Sequence, residues 1–317
     1  MIVVRELDDP GFALPASVVT IGSFDGVHLG HRRLVEHGRD LASAARVPLV
    51  VVSFDRHPLR LLAPSRVPAL LTTPGQRDGV LESLGVSVLY LLHFGHERAN
   101  QDPGAFVRDV LLDRLGALAV VVGSNFTYGA KGAGRPEDLE AAGHAWGFRT
   151  FIQPLLEVDD GVVSSSRIRQ HIATGDLEAA SRLLGRAFAL EGVVVAGDGR
   201  GRELGFPTAN VVVSSSYATP PDGVYAGWAR VERGEPAPAA ISLGTRPTFY
   251  PHGGPRLLEV YLLDQELDLY GRSLEVAFHS RLRPQEHFES VEALMTQMRN
   301  DVAAVRVRTR TASSWAR

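Results

Sequence analysis

The chain has 317 residues, 44% of them hydrophobic, a formal charge of −3 and no cysteine. That length suits two domains with real cores. The charge gives no general attraction to nucleic acid or to an anionic membrane, and the lack of cysteine excludes disulfides, thiolate metal sites and a thiol nucleophile. No apolar stretch reaches the ~18 residues that span a bilayer, and the opening MIVVRELDD carries no signal-peptide pattern. A cytoplasmic protein with no nucleic-acid or membrane partner is expected; composition leaves the oligomeric state open.

In chain order, the first signal is VVTIG, an apolar run that predicts a buried strand. SFDGVH follows as a turn, and HLGH opens a helix continuing as RRLVEHGRDLASAAR. His28 and His31 are three apart and share a face at that helix start. Free backbone N–H groups and the positive dipole end suit a phosphate there, and imidazole donors can offset charge on a transferring phosphoryl group. Gly30 allows close approach to the backbone. The residues also fit plain surface histidines at a helix start. Strand-like VPLVVVSF (47–54), SVLYLL (87–92), ALAVVVG (117–123) and FRTFIQPLL (148–156) then alternate with helical QRDGVLESLG, DPGAFVRDVLLDRLG and EDLEAAGHAWG. Such alternation predicts a parallel sheet covered on both faces, with the ligand at the strand ends. Ser164, Ser165, Ser166, Arg167, Ile168 and Arg169 close this region. Their hydroxyls and guanidinium groups suit phosphate; taken alone, a serine N-cap with solvated arginines is the better fit.

Near residue 186 the pattern changes. SRIRQHIATGDLEAASRLLGR predicts two short helices broken at GD. FALEGVVVA, TANVVV, GVYAGWARV, AAISLGT, LLEVYLL and SLEVAFH then follow as six strands joined by turns, a small antiparallel barrel or sandwich. A last helix, SVEALMTQMRNDVAAVR, has Ser290 as N-cap and an apolar face of Val291, Leu294, Met298 and Val302. The tail RVRTRTASSWAR is expected to fray. GDGRGRELGFPTANV holds a glycine loop, Gly197, Gly199 and Gly201, ahead of a strand entered at Pro207. Thr208 and Asn210, two apart, face the same way, and their hydroxyl and amide oxygens suit Mg²⁺. Glu259 lies in the otherwise apolar LLEVYLL. It is either a wet sheet edge or a carboxylate kept as a general base.

TIGSFDGVHLGH, SFDRHPL, VVGSNFTYG and VSSSRIR, in that order, resemble the adenylyltransferase module of prokaryotic bifunctional riboflavin kinase/FAD synthetases, from residue 18 to about 186. The resemblance implies a Rossmann-like nucleotidyltransferase fold. It implies that His28 and His31 contact the ATP phosphates, with Gly22, Phe24 and Gly30 beside them, and that Ser164, Ser165 and Arg169 lie near the triphosphate. Pro58, Asn125 and Tyr128 would line the flavin and nucleotide site. GRGRELGFPTAN, GVYAGWA, ISLGTRPTF, LLEVYLLDQELDLYG and the terminal helix are similar to the riboflavin kinase module, over about 186 to 305. This implies a six-stranded barrel with a C-terminal helix. Gly199, Gly201 and Pro207 would form the nucleotide loop, Thr208 and Asn210 would bind Mg²⁺–ATP, and Glu259 would deprotonate the riboflavin 5′-hydroxyl. Ser23, Arg56, Ser166, Arg246 and Tyr261 depart from the residues usual in the family.

The expectation is therefore an α/β nucleotidyltransferase domain over 1–186 and an antiparallel β-barrel kinase domain over 187–317. It would make FMN from riboflavin and FAD from FMN, with ATP and Mg²⁺. One alternative is a riboflavin kinase whose first domain is inactive or re-purposed, for which Ser23 and Arg56 are the motive. A second is a flavin carrier on the same fold, and a third is a class I aminoacyl-tRNA synthetase fragment. Glu259 with Thr208 and Asn210 speaks against storage alone. The lack of a K-M-S-K-S-like loop speaks against the synthetase.

Overall fold

Strands whose residues are apolar on both faces need cover on both faces, and the first half of the chain supplies it. The computed structural model describes residues 1–197, 201, 204–232, 234–244, 257–265 and 267–311. Strands β1 (Ile2–Arg5), β2 (Ser17–Ile21), β3 (Leu49–Phe54), β4 (Val88–Leu92), β5 (Ala117–Gly123) and β6 (Arg149–Gln153) form one parallel sheet, ordered β1-β4-β3-β2-β5-β6. Every residue of β2 and β4 is buried. One face packs Val19, Val50, Tyr90 and Val120 with Phe106 and Leu139; the other packs Val18, Val51, Leu89 and Val121 with Val35 and Leu81.

The helices are α1 (Leu29–Ala45), α2 (Leu59–Leu62), α3 (Pro74–Ser83), α4 (His96–Ala99), α5 (Pro103–Phe106) and α6 (Pro136–Trp146). Helix α5 continues as a π-helix over Val107–Arg114, closed by Leu115 N–H donating to Val110 O at 3.1 Å. Strand β1 has no counterpart in the sequence reading. It is a four-residue edge with only Val4 buried, and the apolar run MIVV that overlaps it is short. The expected strand 148–156 stops at Gln153 because Pro154 has no N–H to extend a ladder. A two-stranded hairpin, β7 (Glu157–Val158) and β8 (Gly161–Val162), turns through Asp159 and Asp160 at φ of 51° and 56°, the backbone that suits a two-residue hairpin loop.

The second half closes on itself. Helices α7 (Ser165–Thr174) and α8 (Leu177–Leu184) lead into β9 (Phe188–Val195), β10 (Ala209–Val212), β11 (Gly223–Val231), β12 (Ala237–Gly244), β13 (Leu257–Leu262) and β14 (Ser273–Arg283). These six form a closed antiparallel barrel, β10-β13-β12-β11-β14-β9, with β9 pairing back to β10. Phe188, Tyr225 and Phe278 fill its interior, with Phe278 against both other rings at 6.2 and 5.3 Å between centroids. The chain divides into two compact units, Met1–Pro68 with Pro74–Ser164, and Ala69–Thr73 with Ser165–Arg317. By contacts they part at Ser164, because the apolar face of α8 packs on β9 and β14. Ala69–Thr73 is laid along the barrel unit. Leu70 pairs with Ser216 and Ala218 through backbone bonds of 2.8 Å, and Thr73 Oγ1 donates to Glu191 at 2.6 Å.

The last helix, α9 (Val291–Thr311), runs further than expected. Residues 306–311 are helical and not frayed, held by fully buried Val305 and by Arg306 on Asp264. The inward stripe is Leu294, Met298, Val302 and Val305, whereas Val291 in the first turn is 49% exposed. Buried Asp301 accepts from Arg283 Nη2 at 2.8 Å and Nε at 3.1 Å, and from Gln297 at 2.9 Å. No helix among the described residues is long and apolar enough to cross a membrane.

Removing one partner of a buried pair strands the other charge. Asp301→Ala is expected to destabilise the barrel unit by about 3–5 kcal/mol, measured by urea unfolding. Asp301→Asn, which keeps the shape and an acceptor, is expected to cost less.

Candidate functional sites

The strand order reverses between β2, which is followed in sequence by β3 on one side, and β5 on the other. Open α/β sheets form their ligand crevice at such a reversal, outside the carboxyl ends of the strands. Here the β2–α1 turn, the segment after β3 and the loop after β5 are neighbours. The β2–α1 turn is strained. Phe24, Gly26 and Val27 have φ of 50°, 82° and 38°. Positive φ at a β-branched residue costs on the order of 1–3 kcal/mol and persists only when packing over-determines it. The side chains of Phe24 and Val27 are fully buried in the core and supply that packing.

The turn delivers His28 as the N-cap of α1. Its Nδ1 accepts the backbone N–H of His31 at 3.3 Å. An accepting Nδ1 bears no proton, so the ring proton of the capping imidazole sits on Nε2, which is a donor. The His28 and His31 rings stack at 3.7 Å and 16°, and Phe24 packs on His31 at 5.0 Å. The structure therefore brings Gly22, Phe24, His28, Gly30 and His31 together. Phe24 acts through packing. A Cβ on Gly22 would stand 3.3 Å from its ring, and a Cβ on Gly30 would stand 3.2 Å from the His28 ring and 3.8 Å from Val163 O. Glycine at 30 thus leaves room for the histidine itself, and Ser164 follows directly on that contact.

Around this crevice, Asn125 is exposed after β5 and Pro58 half-buried before α2. Tyr128 is different. It is buried, packed between Phe106 and Phe126, and burial pushes its hydroxyl up to about 12, with Asp138 and Asp102 adding to the shift. Its ring packs the loop after β5 against the core. Ser165 and Arg169 belong to the second unit, where Arg169 Nε donates to Ala69 O at 2.6 Å, so part of its guanidinium holds backbone. Of the unusual residues, Ser23 contributes a carbonyl that accepts from Ser53 Oγ at 3.1 Å. Arg56 lies beside Asp55 at 3.5 Å. Burial opposes ionisation of Asp55, but His93 at 2.8 Å, the Phe94 N–H and Arg56 outweigh it and hold the carboxyl below its ordinary value.

In the barrel unit, a pocket of about 250 Å³ brings Gly201, Pro207, Thr208, Asn210 and Glu259 together. Strand β13 lies between β10 and β12, so Glu259 is not on a sheet edge. Leu258, Val260 and Leu262 point into the barrel while Glu259 and Tyr261 face the half-buried outer side. Asn210 stands directly opposite Glu259 in register. Gly201 has no room for a side chain: a Cβ would meet Phe206 O at 2.5 Å and Thr208 Oγ1 at 2.9 Å. Leu294, Met298 and Val302 of α9, with Phe288 and Tyr261, form an apolar wall. Gly199 and Arg246 lie outside the described residues. Ser242, Gln285 and the Arg283–Asp301 pair also line the pocket and were missed from sequence. Asp301 had a signal, a carboxylate three residues after Met298 on an otherwise apolar helical face.

A parallel α/β nucleotidyltransferase-like domain joined to a riboflavin-kinase-like barrel with a C-terminal helix is the class these features define. The family model for FAD synthetase matches residues 13–167 and that for riboflavin kinase residues 184–309. A bifunctional riboflavin kinase/FMN adenylyltransferase of Bacillus subtilis is 35% identical over 90% of this chain and 90% of its own length. The Escherichia coli K12 protein of the same description is 37% identical over 91% of each. A crystal structure described as a macrolide-efflux protein from Streptococcus pneumoniae superposes with a TM-score of 0.86 at 32% identity, covering 96% of this chain and 99% of that one. The chain belongs to the bifunctional riboflavin kinase/FMN adenylyltransferase family.

The barrel pocket yields a steric test. A Cβ on Gly197 would stand 2.0 Å from Asn210 Nδ2, so Gly197→Ala is expected to turn the Asn210 amide away. The expected result is a several-fold rise in the KM for metal–ATP in the barrel reaction with little loss of thermal stability, read by steady-state kinetics and a melting curve.

Proposed function

We propose that the chain phosphorylates riboflavin with ATP to give FMN at the barrel pocket, and adenylylates FMN with a second ATP to give FAD and pyrophosphate at the histidine turn. The observation that carries this is the half-buried Glu259 set in register beside Asn210, in one pocket with Thr208, in a chain whose two halves match the two families. As functional modules we assign 1–186 to adenylyl transfer and 187–317 to the kinase, since the first family match runs past Ser165 to 167.

In the kinase reaction Glu259 takes the proton of the riboflavin 5′-hydroxyl as its oxygen bonds to the γ-phosphorus and the bond to the ADP oxygen breaks. Glu259 touches the reacting oxygen and is the catalytic residue. Thr208 and Asn210 offer a hydroxyl and an amide oxygen, the donor set a hard cation prefers, and no cluster of three His, Asp, Glu or Cys exists among the described residues. That fits Mg²⁺ carried in with the ATP phosphates. When bound, it offsets charge on the transferring phosphoryl group. Gly201 and Pro207 shape the backbone over the phosphates, and the apolar wall from α9 suits the flavin ring.

In the adenylyl transfer an FMN phosphate oxygen bonds to the α-phosphorus of ATP as pyrophosphate leaves. The nucleophile is already an anion, so no base is required and the protein's task is positioning and charge. His28 Nε2–H and His31 donate to the phosphates at the N-terminus of α1, with Ser164 on the triphosphate. Pro58 and Asn125 border the flavin and nucleotide site, and the core ring of Tyr128 keeps that loop in shape. Both reactions belong in the cytoplasm, where ATP and riboflavin meet.

The test is a double dissociation, with products separated by chromatography after incubation with riboflavin or FMN, ATP and Mg²⁺. Glu259→Gln is expected to lower riboflavin phosphorylation by about 10²–10⁴-fold and to leave FMN adenylylation intact. His28→Ala is expected to do the reverse, while His28→Asn, which can still cap α1, keeps the helix stable but not the activity. FAD made at the parental rate by His28→Ala would remove His28 from the mechanism.

A further inference from the structure

We propose that Ser242, held by Gln285, is a positioning residue that orients the Glu259 carboxylate for riboflavin phosphorylation. The inference rests on the reading of Glu259 as the base. It starts from register. Glu259 on β13 stands opposite Asn210 on β10 and opposite Ser242 on β12. Residues so paired have Cβ atoms about 4.5–5.5 Å apart on the same face. Asn210, Glu259 and Ser242 therefore form one row across three strands, and all three line the pocket. The neighbour of Glu259 on the metal side is Asn210, and its neighbour on the other side carries a hydroxyl.

The direction of that hydroxyl is set by Gln285. Its Nε2 donates to Ser242 Oγ at 2.9 Å and reaches Leu243 O at 3.4 Å. A backbone carbonyl only accepts, so the amide must present its NH₂ end here, which fixes the orientation of the side chain. Ser242 Oγ is then the acceptor of one amide proton. Its own single proton is turned away from Gln285, toward the row that holds the Glu259 carboxylate. An O–H donated to that carboxylate would fix how it faces the substrate hydroxyl. The remaining ionisable groups of the pocket are accounted for. Arg283 from β14 is bound to Asp301 of α9 at 2.8 Å, with Glu286 at 3.9 Å on its other side, and Tyr261 and Tyr270 complete the set. Ser242 is the neutral donor placed beside the base in register.

The experiment compares Ser242→Ala, Ser242→Thr, Gln285→Leu and Glu259→Gln in the full chain, measuring kcat and KM of riboflavin phosphorylation, with circular dichroism to confirm the barrel. Ser242→Ala is expected to lower kcat about tenfold, a part of what a general base contributes, with the KM for riboflavin and ATP held within about twofold. Ser242→Thr restores kcat, and Gln285→Leu shows a weaker loss of kcat at unchanged KM. FMN adenylylation stays at the parental rate in all four. If Glu259→Gln is inactive while Ser242→Ala and Gln285→Leu keep the parental kcat, this inference fails and the base stands. If Ser242→Ala raises only KM, the hydroxyl serves binding and the inference is overturned. If Glu259→Gln retains full kinase activity, the base reading itself is wrong and the inference falls with it.

Discussion

The closure of the barrel is the constraint on which the second half of the molecule depends. A strand inside a closed sheet has a partner on each side, so each outward residue has two fixed neighbours. On β13 that places Glu259 between Asn210 and Ser242. A one-residue slip would turn Glu259 into the barrel interior, among Leu258, Val260 and the aromatic rings, where a carboxylate has no compensation. The apolar alternation that buries Leu258, Val260 and Leu262 therefore also keeps the carboxylate on the pocket side. Stability and chemistry use one register.

In the α/β domain the equivalent constraint is the strained turn after β2. Three of its residues lie at positive φ, and the non-glycine ones, Phe24 and Val27, are tied down by full burial. The core thus fixes where α1 begins, and His28 becomes its cap. Capping by a histidine couples two properties. The helix N-terminus gains an acceptor for one of its free N–H groups, and the imidazole is held as an Nε2–H donor facing the same region that attracts an anion. The Phe24–His31–His28 stack then leaves each ring little freedom to turn.

Much of this was legible in the sequence where the signal was local. The alternation of β-branched runs with helical segments predicted the parallel sheet, the six turn-linked strands predicted a small antiparallel barrel or sandwich that the family resemblance narrowed to a barrel, and H-L-G-H marked the start of α1. What was not legible depended on distant partners. Strand β1 has one buried residue and exists because β4 offers it an edge. The division at Ser164 follows from α8 finding β9 and β14, a fact of packing that no composition shift announces. The packing of Tyr128 against Gly134, Phe106 and Phe126 likewise depends on partners the sequence does not name. Ser242 and Gln285 are 43 residues apart and carry no motif; only the folded register makes them neighbours of Glu259.

The buried Arg283–Asp301 pair completes the logic of the barrel pocket. Helix α9 offers a thin apolar stripe, with Leu294, Met298 and Val302 only half-buried and Val305 fully so. Such a stripe holds a helix against a barrel but tolerates rotation about the helix axis, and one residue of rotation is about 100°. Asp301 shares the inward face with Met298 and Leu294, three and seven residues earlier. Two nitrogens of Arg283 on its carboxylate, with Gln297 on the same oxygen, admit one rotational setting. A hydrophobic pair of the same volume could match the pair in stability, but it would not select the setting that turns Leu294 and Met298 toward Glu259. The ion pair is therefore best understood as fixing the shape of the apolar wall, with the carboxylate row on the opposite side fixing the chemistry.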